Sequence, residues 1–162
     1  MGDAFSLEGG DPLATDATEL RALAAIEVRQ RYPKFFADNV PLPHNEPLGP
    51  RRAFLSARSR DGAAVVCGAF RPLKDPPDPT TAEVRRMFAR SEWRPRGVGR
   101  TLLLALERAA IEFGFAALRI ATGHRQPEAI ALYDGFADRR IAPHGPYDGD
   151  PTGMCFEKLL QR

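Results

Sequence analysis

Cysteine is scarce: only Cys67 and Cys155 occur in 162 residues, both within apolar runs and without CxxC spacing. Two such distant thiols make neither a zinc site nor a disulfide framework. They read as buried, reduced thiols of an intracellular protein. Histidine is scarce too, and His44, His124 and His144 lie scattered without metal-ligand spacing, so no metal is expected. Long apolar runs are missing, whereas a spanning helix needs about 20 such residues, so no membrane contact is expected. The opening MGDAFSLEGG lacks a basic stretch followed by an apolar core and does not read as a secretory signal. The expectation is a cytoplasmic protein. Net charge is small, +2 at neutral pH, which argues against a wholesale nucleic-acid binder. No Ser-His-Asp or Cys-His nucleophile pattern stands out.

What is present is the balance of a folded globular protein, 43% hydrophobic and 27% charged. The length suits a single domain over residues 1–162, with 1–15 read as frayed. A helix is predicted from Asp16 to about Arg31, with Asp16 as cap and Glu19 completing a capping box. Its apolar face is Leu20, Leu23, Ala24, Ile26 and Val28. Lys34 to Pro50 reads as a loop with a short helix at Phe35–Asn39. AFLSARSR and AAVVCGAFRPL flank Asp61-Gly62, a strong hairpin signal. KDPPDPT reads as a proline-rich turn and Ala82–Arg90 as a third strand by its alternation. A long helix from Gly97 to about Phe113 carries a stripe of Leu102, Leu103, Leu106, Ala109, Ala110 and Phe113, and Gly114 suits a left-handed C-cap. Ala116–Gly123 reads as a buried strand, Pro127 to Tyr133 as a short helix, and Phe136–Ile141 and Met154–Leu160 as the last strands. The order predicts an α/β (α+β) fold: a mixed, mostly antiparallel central sheet flanked by helices.

"RPRGVGRTLL" (Arg94–Leu103) joins the third strand to the long helix. A helix N-terminus offers unpaired amides and partial positive charge, and glycine lets a phosphate approach them closely. Six arginines fall in the sixteen residues from Arg85 to Arg100, so the positive charge of a nearly neutral chain concentrates here. The stretch proposes a phosphate or pyrophosphate site, against the alternative of an ordinary helix-entry turn. Gly99 is followed by Arg100-Thr101, which excludes a Walker A loop, and Leu102 occupies the third-glycine position of the dinucleotide fingerprint.

The pattern Arg-x-x-Gly-x-Gly, carried by Arg94, Gly97 and Gly99, resembles the Gln/Arg-x-x-Gly-x-Gly/Ala signature of the GNAT acetyltransferase superfamily. "AEVRRMFARSEWRPRGVGRTLL" resembles that family's strand-turn-helix core. "LRIATG", "PEAIALY" and "GPYDGDPTGMCFEK" resemble downstream segments of a bacterial branch, and "RYP" and "GAAVVCGAFRPL" its upstream part. The resemblance spans about residues 18–160. It implies acetyl-CoA as co-substrate and a fold in which the strand before the signature splays from the next. Amides from Arg96 through Gly97, Val98, Gly99 and Arg100 to Thr101 would hold the pyrophosphate, with Arg94 beside them. Met87 and Phe88 would pair by backbone with the pantetheine arm.

Acetyl transfer to an amine needs a proton acceptor, a polarised thioester and a proton for the departing thiolate. The resemblance makes Glu83 the candidate base, acting through water. Alternation places it on one face with Arg85 and Met87. The other reading is an ion-paired surface carboxylate. Tyr133 is the candidate acid, since a phenol with a pKa near ~10 can donate at neutral pH; the other reading is a packing tyrosine. Only Asp134 separates Tyr133 from Gly135, fewer residues than the resemblance leads one to expect, which raises an early helix end and a differently aimed phenol. Gln126, Tyr147 and His124 are neighbouring candidates with equally plain structural readings. The chain thus reads as an acetyl-CoA-dependent N-acetyltransferase for a small-molecule or peptide primary amine. The alternative is an acyl-CoA sensor without catalysis. The resemblance leaves a homodimer open.

Overall fold

The computed structural model describes residues 5–33, 44–143 and 153–160. In chain order the elements are β1 (Phe5–Gly9), α1 (Thr15–Arg31), β2 (Ala53–Ser59), β3 (Ala64–Lys74) and β4 (Pro77–Ala89). A 3-10 turn (Ser91–Arg96) leads into α2 (Val98–Glu112), then β5 (Ala117–Gly123), α3 (Pro127–Phe136), β6 (Arg139–Ile141) and β7 (Gly153–Leu159). The strands form one sheet in the order β1-β2-β3-β4-β5-β7-β6. Every neighbouring pair is antiparallel except β4 and β5, which the α2 crossover makes parallel. The mixed, mostly antiparallel sheet with flanking helices is the architecture predicted above.

Local chemistry explains the turns. Gly62, at φ 89°, supplies the left-handed residue of the β2–β3 hairpin. α2 ends on Gly114, whose N–H donates to the Ile111 carbonyl (2.9 Å), while the Phe115 N–H donates to the Ala110 carbonyl (3.0 Å). This left-handed cap drives Phe115 into the core, fully buried. α2 lays Leu102, Leu103 and Leu106 against Val66, Val84, Leu118 and Phe156 on one sheet face. On the other face Ala17 and Leu20 of α1 pack on Phe54, Ala64 and Cys67.

Several expectations give way. The stretch read as frayed contains β1, which pairs along β2 from Phe5 with Ser59 to Gly9 with Leu55. Ala14, not Asp16, stands at the N-cap of α1, without a side-chain cap. Asp16 lies inside the first turn, where Arg58 of β2 claims its carboxylate by ion pair and hydrogen bond. Leu23 and Ile26 face outward, so the buried face of α1 is narrower than its apolar content. β4 starts at Pro77 and absorbs most of the proline-rich turn. Phe113 is half-exposed, with its ring edge against Phe70. α3 does not stop at Tyr133 but runs through Gly135 to Phe136, which is buried. The segment 34–43, with its predicted short helix, and Tyr147 and His144 lie outside the described residues.

Candidate active site

β4 and β5 pair only from Thr81 with Ala117 to Val84 with Ile120. β4 then continues to Ala89 and β5 to Gly123 without further mutual pairing among the described residues. The cause is a bulge. Cys67 pairs with Phe88 and Ala69 with Arg85, so Arg86 and Met87 both lie opposite Gly68. Arg86 takes up the extra residue at φ 61°, a left-handed conformation that side chains other than glycine seldom adopt. Beyond the bulge the strands diverge, and a cavity of about 310 Å³ opens between them. Its walls include Met87, Phe88, Ile120, Thr122 and Tyr133, with Gly97 and Gly99 at the entrance to α2.

The bulge also corrects a facing assignment. Period-2 alternation puts Met87 with Glu83 and Arg85. The extra residue reverses this, and Met87 packs with Val84 and the α2 leucines, its sulfur beside the Cα of Gly68. Phe88 turns to the α1 side, against the Leu20 and Phe54 cluster. Glu83 stays on the α1 side of the sheet and does not line the large cavity. Its Oε1 accepts from Nε of Arg71 (3.1 Å), and Arg85 Nε lies 3.8 Å away. Nearby, Glu46 receives hydrogen bonds from Arg52 (2.6 Å), Arg85 (2.5 Å) and Arg71. Burial raises the Glu46 carboxyl, but the Arg52 hydrogen bond and three guanidinium charges outweigh it and hold it below the ordinary carboxylate range. Cys67 lies behind this strand, its thiol pushed up to about 12 chiefly by burial, which removes it as a nucleophile at neutral pH.

At the helix entrance Gly97 adopts φ 73° and joins the 3-10 turn to α2. Among the described residues no side chain caps α2, so its first amides stay available beside the positive helix end, up to the Thr101 N–H, which donates to the Gly97 carbonyl (3.2 Å). Gly99 permits the close approach of α3: a Cβ there would meet Leu132 Cδ2 at 3.1 Å. Arg94 and Arg100 line the cavity, whereas Arg96 stacks on Trp93 (4.4 Å) and Thr101 Oγ1 bonds back to the Gly97 carbonyl. Val98 is buried in the core. Tyr133 is buried against Phe156 with ring centroids 5.8 Å apart, and it borders the cavity.

Residues absent from the sequence reading complete the walls. Glu27 and Arg31 of α1 and Glu128 of α3 form a strap of ion pairs across the groove: Arg31 to Glu128 (3.0 Å), and Arg94 to Glu27 (2.8 Å). The Arg31 hydrogen bond holds the Glu128 carboxyl below its ordinary range. The four-residue step from Glu27 to Arg31 was the only available signal, and it reads equally as a surface helix pair. Among the described residues no three His, Cys, Asp or Glu side chains converge as a metal site, and no helix is long and apolar enough to cross a membrane.

The sequence from residue 20 to 136 matches the model of the acetyltransferase (GNAT) family. The chain belongs to the GNAT family. GNAT proteins transfer acetyl groups from acetyl-CoA, so an acyltransferase activity follows at family level. The fold agrees. A Klebsiella pneumoniae protein assigned to the acyl-CoA N-acyltransferases superposes with a TM-score of 0.76 at 28% identity, over 97% of this chain and 98% of that one. A Staphylococcus aureus GNAT acetyltransferase gives 0.74 at 16% identity, covering 98% and 100%. A GNAT acetyltransferase of Elizabethkingia anophelis, solved with acetyl-CoA bound, gives 0.66 at 16% identity, covering 98% and 99%. Among curated proteins none matches.

Proposed function

We propose that this GNAT protein is an acetyl-CoA-dependent N-acetyltransferase that acetylates a primary amine of a small molecule or peptide by direct attack in a ternary complex. The observation that carries this is the divergence of β4 and β5 after Val84 and Ile120, with the cavity in the gap and the uncapped start of α2 beside it. An extended pantetheine arm fits such a gap, since it can take up the backbone groups of Met87 and Phe88 that β5 leaves. The pyrophosphate then meets the amides from Arg96 to Arg100, with Arg94 and Arg100 as counter-charge; the expected Thr101 amide drops out because it donates to the Gly97 carbonyl.

The neutral amine attacks the thioester carbon, the C–N bond forms and the C–S bond breaks. The nitrogen loses a proton through water to Glu83, whose contacts with Arg71 and Arg85 are made by Oε1. The departing thiolate takes its proton from Tyr133. Release of free thiol over a panel of amines and peptides tests the activity. Glu83→Gln is expected to lower kcat by about 10²–10⁴ with little change in acetyl-CoA affinity, the scale of a lost general base. Equal turnover removes Glu83 from the mechanism. Tyr133→Phe is expected to alter the alkaline limb of the pH-rate profile, and an unchanged profile dismisses the acid role.

One observation favours a second reading, a non-catalytic acyl-CoA sensor: Glu83 is held by Arg71 and stands off the cavity. Acetyl-CoA binding without thiol release across the panel is its signature.

A further inference from the structure

Arginine outnumbers carboxylate on the α1 side of β4. Arg52, Arg71 and Arg85 share Glu46, and Arg71 and Arg85 also approach Glu83. These contacts occupy both oxygens of Glu46 and the Oε1 of Glu83. Arg86 follows directly, and among the described residues it forms no ion pair; its Nη2 donates to the neutral carbonyl of His44 (3.2 Å). Arg21 of α1 shares the large cavity with it.

Arg86 occupies a particular place. The bulge makes Arg85 and Arg86 the partition between the large cavity and a smaller one of about 40 Å³ bounded by Asn45, Pro47, Leu48 and Phe54 and by Glu46 with its partners Arg52 and Arg71. Both arginines line both cavities. A half-buried guanidinium beside like charges is unfavourable unless an anion joins it. Burial first, then the charges of Arg85 and Arg21, push Arg86 down to about 10, and Glu46 opposes this only in part. The next residues along the strand, Met87 and Phe88, begin the proposed pantetheine track, so Arg86 stands at its acetyl end.

We infer that the acceptor amine carries an anionic group, a carboxylate or a phosphate, and that Arg86 receives it at the partition between the two cavities. This rests on the acetyl-transfer reading above. An anion fixed there anchors the substrate while its amine reaches past the bulge towards the thioester. Arg86 is a substrate-binding residue in this scheme. The coenzyme's own pyrophosphate is met elsewhere, by the start of α2.

The test uses the full chain and matched amines. One set is an amino acid, its methyl ester and its amide; another is an aminoalkyl phosphate and the corresponding amino alcohol. Thiol release at saturating acetyl-CoA is expected to show kcat/KM at least tenfold higher for the anionic members, and the two sets distinguish carboxylate from phosphate. Arg86→Gln is expected to bring that ratio near one while KM for acetyl-CoA stays within twofold, and Arg86→Lys to retain part of the ratio. Neutral amines serving as well as anionic ones overturn the inference in the unsubstituted protein, whether or not the variants fold. A ratio unchanged in folded Arg86→Gln, or a rise only in KM for acetyl-CoA, overturns it as well. If no amine releases thiol, acetyl transfer fails separately. The anion site is then read by calorimetric titration of an N-acetylamino acid and its methyl ester with CoA present. Preference for the acid, lost in Arg86→Gln, supports the site; equal binding overturns it.

Discussion

Gly68 shows how one missing side chain shapes the groove. A Cβ there would fall 2.3 Å from Met87 Sδ and 3.0 Å from Leu102 Cδ2. The leucine is buried in the α2 core, so the flexible Met87 chain gives way, and that chain lines the cavity. Gly68→Ala is expected to cost about 1–3 kcal/mol in urea melting, the scale of an overpacked core. It is also expected to raise KM for acetyl-CoA. Adding Met87→Ala should restore most of the stability, which a backbone effect at residue 68 would not allow.

At the level of elements, two contacts hold the far half of the sheet and its helix in place. Tyr32, just after α1, seats its ring over Gly123 at the end of β5 and accepts a hydrogen bond from the Arg125 N–H (2.9 Å). A Cβ at residue 123 would lie 2.0 Å from the Tyr32 hydroxyl, so Gly123→Ala is expected to undock the end of α1 and speed amide exchange there. Glu157 of β7 stitches three strands, accepting from Arg119 of β5 (3.1 Å) and Arg139 of β6 (2.6 Å). Burial raises this carboxyl, yet the hydrogen bonds from Arg139 and Arg119 prevail and lower it. A depressed folded value stabilises above the unfolded pKa, near ~4.3, and that contribution fades as pH falls through the folded value. Glu157→Gln is expected to lose about 1–3 kcal/mol at neutral pH, since charged hydrogen bonds go, and to flatten the acid limb of a stability-pH curve. Period and turn chemistry made the β2–β3 hairpin and α2 legible in the sequence: Asp61-Gly62 needs its left-handed glycine, and α2 has one dominant apolar stripe. The Arg86 bulge was not legible, because an extra residue leaves local composition unchanged and only the partner strand reveals it. The extension of α3 was hidden by Gly135, a poor helix former, and is won by burial of Phe136. The Glu46 cluster was equally hidden, since Arg85 meets it across 39 residues of chain.

For the molecule as a whole, acetyl-CoA is expected to act as a stabilising ligand, catalysis or not. At a hundred times its Kd a ligand adds about 2.7 kcal/mol. For a chain of this length that amounts to roughly 5–11 °C in Tm, read by thermal melting with and without the coenzyme. The location of that gain follows from the β4–β5 seam. The strands β1–β4 and β5–β7 are antiparallel ladders joined by a parallel seam from Thr81 with Ala117 to Val84 with Ile120. That makes the seam a partly closed zip, and under the proposed function the coenzyme is a splint laid along its open half. Bound splints slow the opening of what they bridge, so protection from hydrogen exchange should climb most at Met87–Ala89 and Ala121–Gly123, leaving the outer strands β1 and β6 to breathe as before.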